Sequence, residues 1–229
     1  MDHNWSIKNL IREIVLSSTY RQSSAIPSIP APSNPGEGKR GGTQDSALRT
    51  QDSLTIDATN DLFWHMNRRR LTIEQWRDTV LYVAGELEES ADTKSMELSD
   101  PKNLHRTVYA RISRKQLNDL LAQFDYPDAN VHAERRAVTT TPMQKLFVLN
   151  SPFMLERSKS LAARLTADPK ESDQSRIDRA YKLILGRPPD ADEIKLALAF
   201  LAKPATGEMT RWEQYAQVLL ASNELLYVD

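Results

Sequence analysis

The chain has no cysteine, and that absence excludes disulfides, thiolate zinc sites, iron–sulfur clusters, covalent haem attachment and a cysteine nucleophile. Four histidines, His3, His65, His105 and His132, lie far apart and form no close pair to seed a zinc site. Glycine is scarce. Of seven in 229 residues, four fall between Gly36 and Gly42, which leaves little for a phosphate-cradling loop. No GxGxxG, Walker loop, GxSxG or SxxK is present. Charge of one sign is also lacking. Thirty Lys and Arg face 31 Asp and Glu, so no overall positive field draws in a phosphate backbone, and no nucleic-acid partner is expected. No stretch approaches the roughly 20 apolar residues of a membrane helix. The composition implies no cofactor and no metal, and alone it assigns no function.

What is present is helical periodicity. Ile7, Leu10, Ile11, Ile14 and Val15 form one stripe of an amphipathic helix within Trp5 to Ser18. Residues 23–57 read differently. Pro27, Pro30, Pro32 and Pro35 are followed by the glycines, without an apolar stripe, and a disordered insert or linker is expected. Pro27 to Pro30 and Pro32 to Pro35 have PxxP spacing, which arises readily by chance in such a stretch. The organisation expected is therefore an N-terminal helix in 1–22, the insert in 23–57 and a main helical domain in 58–229.

Within that domain, Asn60 to Met66 reads as a short helix. Thr72 and Gln75 form a capping box ahead of a helix from Ile73 to Leu87, with Trp76, Val80, Val83 and Ala84 inward. Thr107 to Ser113 alternates Val108, Ala110 and Ile112 against Tyr109 and Arg111, the period of a short strand. Ser113 with Gln116, Thr141-Pro142 with Gln144, and Ser151-Pro152 signal three helix starts. Gly186 ends a helix carrying Ile177, Ala180, Tyr181 and Ile184. Asp190 with Glu193 and Thr210 with Glu213 open two more. The fold class expected is mainly α: an irregular multi-helix bundle of short capped helices, with at most one strand segment near 107–113. Trp76, Leu117, Leu121, Leu146, Phe147, Ile184 and Leu198 are the expected core.

The anion-binding candidates are Arg135 and Arg136, which precede the Thr139-Thr140-Thr141 helix start, and Asn67 and Arg69 of the basic run Asn67-Arg68-Arg69-Arg70. Consecutive arginines on a helix point about 100° apart, so that run converges on one anion only if the backbone turns. The alternative for Arg135 and Arg136 is internal pairing with Asp125 or another acid. Asp125, Asp128 and Glu134 lack the spacing of an EF-hand loop and read as a turn.

Several motifs in fixed order carry a family resemblance. They are Trp5-Ser6-Ile7-Lys8 through Tyr20-Arg21-Gln22, Asn67 to Leu71 ahead of Arg77-Asp78, and Arg106-Thr107-Val108-Tyr109 with Arg114. Phe124-Asp125-Tyr126-Pro127-Asp128, Arg135-Arg136 with Thr139 to Gln144, Leu149 to Phe153, Gly186-Arg187-Pro188-Pro189 and Ser222 to Asp229 complete the order. Together they resemble the planctomycete-type domain of unknown function 1553. The resemblance implies the C-terminal part of a large multidomain protein of the bacterial cell exterior, periplasmic or extracellular, following a c-type-haem-like module and a second uncharacterised domain. The partners implied are those other domains or a neighbouring protein. No signal peptide and no haem module lie in this chain, so an N-terminal truncation is expected. Two function classes follow. One is a non-catalytic helical module that binds a surface polymer or a partner domain. The other is a hydrolase-type enzyme domain using Arg135, Arg136, Asp125 and Asn67 or Arg69 on an anionic saccharide.

Overall fold

A computed structural model describes residues 6–22, 24, 53–90, 94–205 and 207–228. Most of the expected insert, 23 and 25–52, lies outside the described residues. The chain divides into two compact units, Met1–Arg69 with Asp229, and Arg70–Val228.

In the first unit, helix α1 spans Ile7–Leu16. Ser6 caps its start by accepting from the Asn9 amide at 3.4 Å, and the Ser17 amide closes its end on the Ile14 carbonyl at 3.1 Å. The predicted apolar stripe is exposed, with Ile7 73% and Leu10 58% accessible. The segment expected to be a helix over Asn60 to Met66 is instead a turn. Asp57 accepts from the Asp61 and Leu62 amides at 2.9 and 2.8 Å, and Trp64 Nε1 donates to the Asp57 carbonyl at 2.9 Å. Asn60, at φ 60°, exchanges two hydrogen bonds with the His65 backbone. Carboxylate and carboxamide groups that bond nearby backbone compete with the helical ladder, and here they prevail.

The second unit is mainly α. Its helices are α2 (Ile73–Ala84), α3 (Asp119–Gln123), α4 (Pro142–Asn150), α5 (Pro152–Leu165), α6 (Asp173–Ile184), α7 (Ala191–Leu201), α8 (Arg211–Leu220) and α9 (Asn223–Leu226). The only sheet among the described residues has two strands of two residues; Arg70 at the head of this unit pairs with the strand Tyr227–Val228. Capping boxes at Thr72, Thr141, Asp190 and Thr210 form as the spacing predicts, each residue three positions on reaching back to the cap amide. Gly85, at φ 80°, ends α2 in the left-handed region that glycine adopts without a Cβ clash.

Helix α5 is the central element and packs against α2, α8, α4 and α6. Its Met154, Leu161 and Leu165 meet Ile177 and Ala180 of α6 and Ala216 and Leu220 of α8 in one apolar cluster. An aromatic group extends it: Trp76 stacks on Phe124 at 5.5 Å, and Phe147 and Phe153 stand 6.4 and 6.3 Å from Trp76. Arginines close helix ends where carbonyls lack partners. Arg164 donates to the Tyr82 and Val83 carbonyls at the end of α2, and Arg179 to the Leu165 carbonyl at the end of α5.

Three local expectations are corrected. Thr107 to Ser113 is not a strand; Thr107–Tyr109 is a 3₁₀ turn. The Asp78 carboxylate accepts from both the amide and the hydroxyl of Thr107 at 2.7 Å, and with no neighbouring strand to supply a ladder this clamp fixes the backbone. The helix expected behind Ser113 begins instead at Asn118, whose side chain accepts from the Leu120 amide at 3.0 Å. Trp76, Leu121 and Ile184 are buried and Leu117 and Phe147 half-buried, but Leu146 and Leu198 are exposed, at 51% and 36%. Leu146 lies two residues from each of Gln144 and Val148, the buried positions of α4, and so faces away from the core, while Leu198 is one residue, about 100°, from the buried Ala197 of α7.

Candidate functional site

The four sequence candidates fall in different units. Asn67 and Arg69 belong to the first, where Asn67 accepts from Asn60 Nδ2 at 3.2 Å and Arg69 is exposed. Arg135 and Arg136 belong to the second. Arg135 is exposed. Arg136 donates to both carboxylate oxygens of Glu74, at 2.8 and 2.9 Å, and lies over the Tyr126 ring at 5.2 Å. Asp125, the carboxylate expected near Arg136, is engaged otherwise: it accepts from the Thr139 amide and hydroxyl at 2.9 and 2.7 Å. Arg70, the last residue of the basic run, donates to the Thr139 carbonyl and to Gln144 Oε1. The hollow beside Arg136, between Thr72, Phe124 and Val138, holds about 50 Å³, room for little more than a water.

A far larger concavity opens elsewhere in the second unit. It is a cleft of about 820 Å³, within the range of ligand sites. One wall is the segment from Glu97 to Asn103, another runs from Arg111 to Leu120, and the third is the start of α5 from Ser151 to Arg157. Apolar groups, among them Leu98, Phe147 and Phe153, alternate with Ser99, Gln116, Asn118 and four carboxylates.

Two arginines in this lining are almost wholly buried, the Arg77 side chain at 1% exposure and that of Arg157 at 8%. Both guanidiniums lie near one phenyl ring, Arg77 at 5.8 Å and Arg157 at 5.4 Å from the Phe153 centroid. Arg77 holds the neighbouring wall. It donates to the His105 carbonyl at 3.0 Å, to Thr107 Oγ1 at 3.1 Å and to the Asn103 carbonyl. Asn103 in turn donates to the Glu97 carbonyl at 3.1 Å, so the loop that forms the lip hangs on this side chain. Burial pulls the Arg77 guanidinium down to about 10, Asp78 pushing it up and the like charge of Arg157 pushing it further down. It stays protonated at neutral pH. Arg157 pairs through Nε with Glu86 at 2.6 Å and through Nη2 with Glu156 at 3.3 Å.

Helix α5 points its N-terminus at this cleft. Ser151 caps it by accepting from the Met154 amide at 3.3 Å, and Pro152 occupies the first turn without an N–H to lose. No group of three or more His, Asp or Glu able to hold a metal occurs among the described residues.

Sequence reasoning passed over Arg157 as a site residue and met Arg77 only as part of a motif. The usable signal was position. Both arginines lie on the core face of their helix, Arg77 beside Trp76 and Val80, Arg157 three residues after Met154 and four before Leu161. A guanidinium set on an apolar stripe is buried, and a buried charge needs partners.

The family model described as PSD1, protein of unknown function (DUF1553), matches residues 1–201. No curated protein and no solved structure matches the chain.

Proposed function

Since the chain belongs to the DUF1553 family, whose function is unknown, we propose that it is a non-catalytic helical binding module. In this reading it forms the C-terminal part of a larger exported bacterial protein, and its ligand is a segment of a surface polysaccharide seated in the cleft of the second unit. The observation that carries the reading is the cleft itself. About 820 Å³ accommodates several sugar units, and apolar patches for sugar faces alternate with hydroxyl, amide and carboxylate groups for sugar hydroxyls. Its walls are fixed by buried side chains: Arg77 holds one, and α5, packed through the core, holds another. A site preformed in this way lowers the ordering cost that the protein pays on binding.

The test is calorimetric titration of the chain with a panel of soluble polysaccharides, repeated with Gln116→Trp. Gln116 is exposed on the cleft wall, so the indole fills the cleft without entering the core. Binding that disappears in the variant at unchanged melting temperature supports the reading. Binding that is unaffected places the ligand elsewhere and ends it.

A further inference from the structure

The first unit carries an apolar helix face with no cover. No residue of α1 is buried. Ile7, Leu10, Ile11, Ile14 and Val15 are all exposed. At about 100° per residue they span about 140° of the helix surface as one continuous face. A helix of ten residues is marginal in water unless such a face is covered, so α1 is patterned for a partner.

Charge indicates what kind. By the same angular spacing Lys8 and Arg12 lie along one edge of the face, beside Val15, and Glu13 lies on the far side. Arg21 follows the helix, next to the exposed Tyr20. The side chains of Lys8, Arg12 and Arg21 make no ion pair among the described residues. Glu13 is the only acid from residue 6 to residue 22, although the whole chain has a net charge of −1. Long basic side chains at the rim of an apolar face lay their stems along it and hold the charge outward, at the level of lipid phosphates. A Tyr ring suits the same boundary. Apolar on one side and basic at the rim is the pattern of a helix lying in an anionic lipid surface.

A second copy of the chain fits less well. A stable protein–protein interface takes about 20–30 residues a side, and this face offers five. A coiled coil needs roughly three heptads, more than twice the ten residues of α1. Nor does α1 cross a bilayer, since ten residues rise about 15 Å, half the hydrocarbon thickness.

We infer that α1 is a membrane-surface anchor. It lies in the plane of an anionic phospholipid surface, with Ile7, Leu10, Ile11, Ile14 and Val15 in the acyl boundary and Lys8, Arg12 and Arg21 against the headgroup phosphates. This stands apart from the cleft of the second unit and its ligand. Attachment is reversible and salt-sensitive, because one short face supplies modest apolar burial and screened charge supplies the remainder.

The test is cosedimentation of the full chain with vesicles of phosphatidylcholine alone and of an equimolar mixture with phosphatidylglycerol. It is run on the unaltered chain, on Ile14→Glu, on Lys8→Glu combined with Arg12→Glu, and on Leu196→Glu, which alters an exposed leucine of the second unit. The expected result is binding at least about tenfold tighter to the mixed vesicles, weakening as salt rises. Ile14→Glu and the double variant should lose it by a similar factor, and Leu196→Glu should keep it. Equal binding to both kinds of vesicle, or to neither, overturns the inference. Binding that survives Ile14→Glu, or falls as far in Leu196→Glu, also overturns it, because the lipid is then met elsewhere. Since α1 buries nothing, Ile14→Glu should keep the melting temperature; a fall means that the chain itself covers the face and overturns the anchor. Sedimentation equilibrium without vesicles supplies the other outcome. A dimer that Ile14→Glu dissociates makes a second copy the occupant and likewise overturns it.

Discussion

Arg136 reaches across 62 positions of sequence to Glu74, in the first turn of α2, and places one guanidinium nitrogen within 2.9 Å of both carboxylate oxygens. The same guanidinium lies over the Tyr126 ring. The pair is a surface clasp: Arg136 is 41% and Glu74 24% exposed. Exposed ion pairs contribute about 0.2–1 kcal/mol, and a cation–π contact at such a site adds about 0.5–1 kcal/mol. Arg136→Ala is therefore expected to lower stability by roughly 1 kcal/mol, well short of the roughly 3–5 kcal/mol that truncating a buried paired charge costs. Urea unfolding of Arg136→Ala, Glu74→Ala and the double variant checks it. A coupling energy of zero in that cycle would show the clasp to contribute nothing.

Leu121 and Leu146 test the core assignment as a pair. Leu121 is wholly buried, whereas Leu146 is 51% exposed. Leu121→Ala should cost about 2–5 kcal/mol through lost burial and the cavity left behind. Leu146→Ala should stay within about 0.5 kcal/mol, the range of surface changes. Chemical denaturation of the two variants side by side decides the matter; equal losses would mean that the α4 face is covered in solution.

These two leucines also show what the sequence could and could not disclose. Helix existence was readable because its signals are local: Thr72 with Gln75, Asp190 with Glu193, Gly186 after Ile184. Helix coverage was not, because whether a neighbour reaches Leu146 depends on packing between segments far apart in the chain. The strand expected at Thr107 failed for a related reason. Alternation of Val108, Ala110 and Ile112 is a local pattern, and it lost to a tertiary clamp from Asp78, 29 residues away. The cleft was invisible for the same cause. Arg77 and Arg157 are 80 residues apart, and only the packing of α2 against α5 brings them to one ring.

Gly85 gives a backbone prediction. It terminates α2 at φ 80°, and a Cβ built there would sit 3.4 Å from Arg164 Cδ. Contact with a flexible side chain is tolerable, so the left-handed conformation is the dominant cost. Gly85→Ala is expected to destabilise by about 1 kcal/mol. Thermal unfolding monitored by circular dichroism reads this; an unchanged or higher melting temperature would mean that the helix end relaxes.

The acid limb of stability is expected to depend on Glu193 and Glu171. Hydrogen bonds from Arg187 hold the Glu193 carboxyl below its usual value of 4.5, and those from Arg179 do the same for Glu171. A lowered folded-state value means that the unfolded chain binds protons first. The stabilisation is then complete above the ordinary carboxylate range and fades as pH falls through the lowered values. Arg187, raised above its usual range by Glu193 and Glu224, stays charged throughout. Unfolding midpoints between about pH 6 and pH 3 should fall more steeply for the unaltered chain than for Arg187→Gln, because the variant has less native-state preference for ionised Glu193 to lose. Parallel curves would remove Glu193 from the account.

Arg77 supplies the last prediction, and it separates geometry from charge. Its guanidinium reaches three acceptors in different directions, the carbonyls of Asn103 and His105 and the hydroxyl of Thr107. A lysine keeps the charge but offers a single nitrogen on a flexible stem, without the planar fork that spans those positions. Arg77→Lys should therefore leave at least one buried carbonyl without a donor and cost about 1–3 kcal/mol. The loss should be local. Amide hydrogen exchange should accelerate across residues 103–107, which Arg77 pins, while the α5–α8 core, held by Leu161, Leu165, Ala216 and Leu220, keeps its protection. If the variant loosens α5 and the loop together, Arg77 supports the whole unit; if neither changes, the loop is held by Asp78 and Asn103 without it.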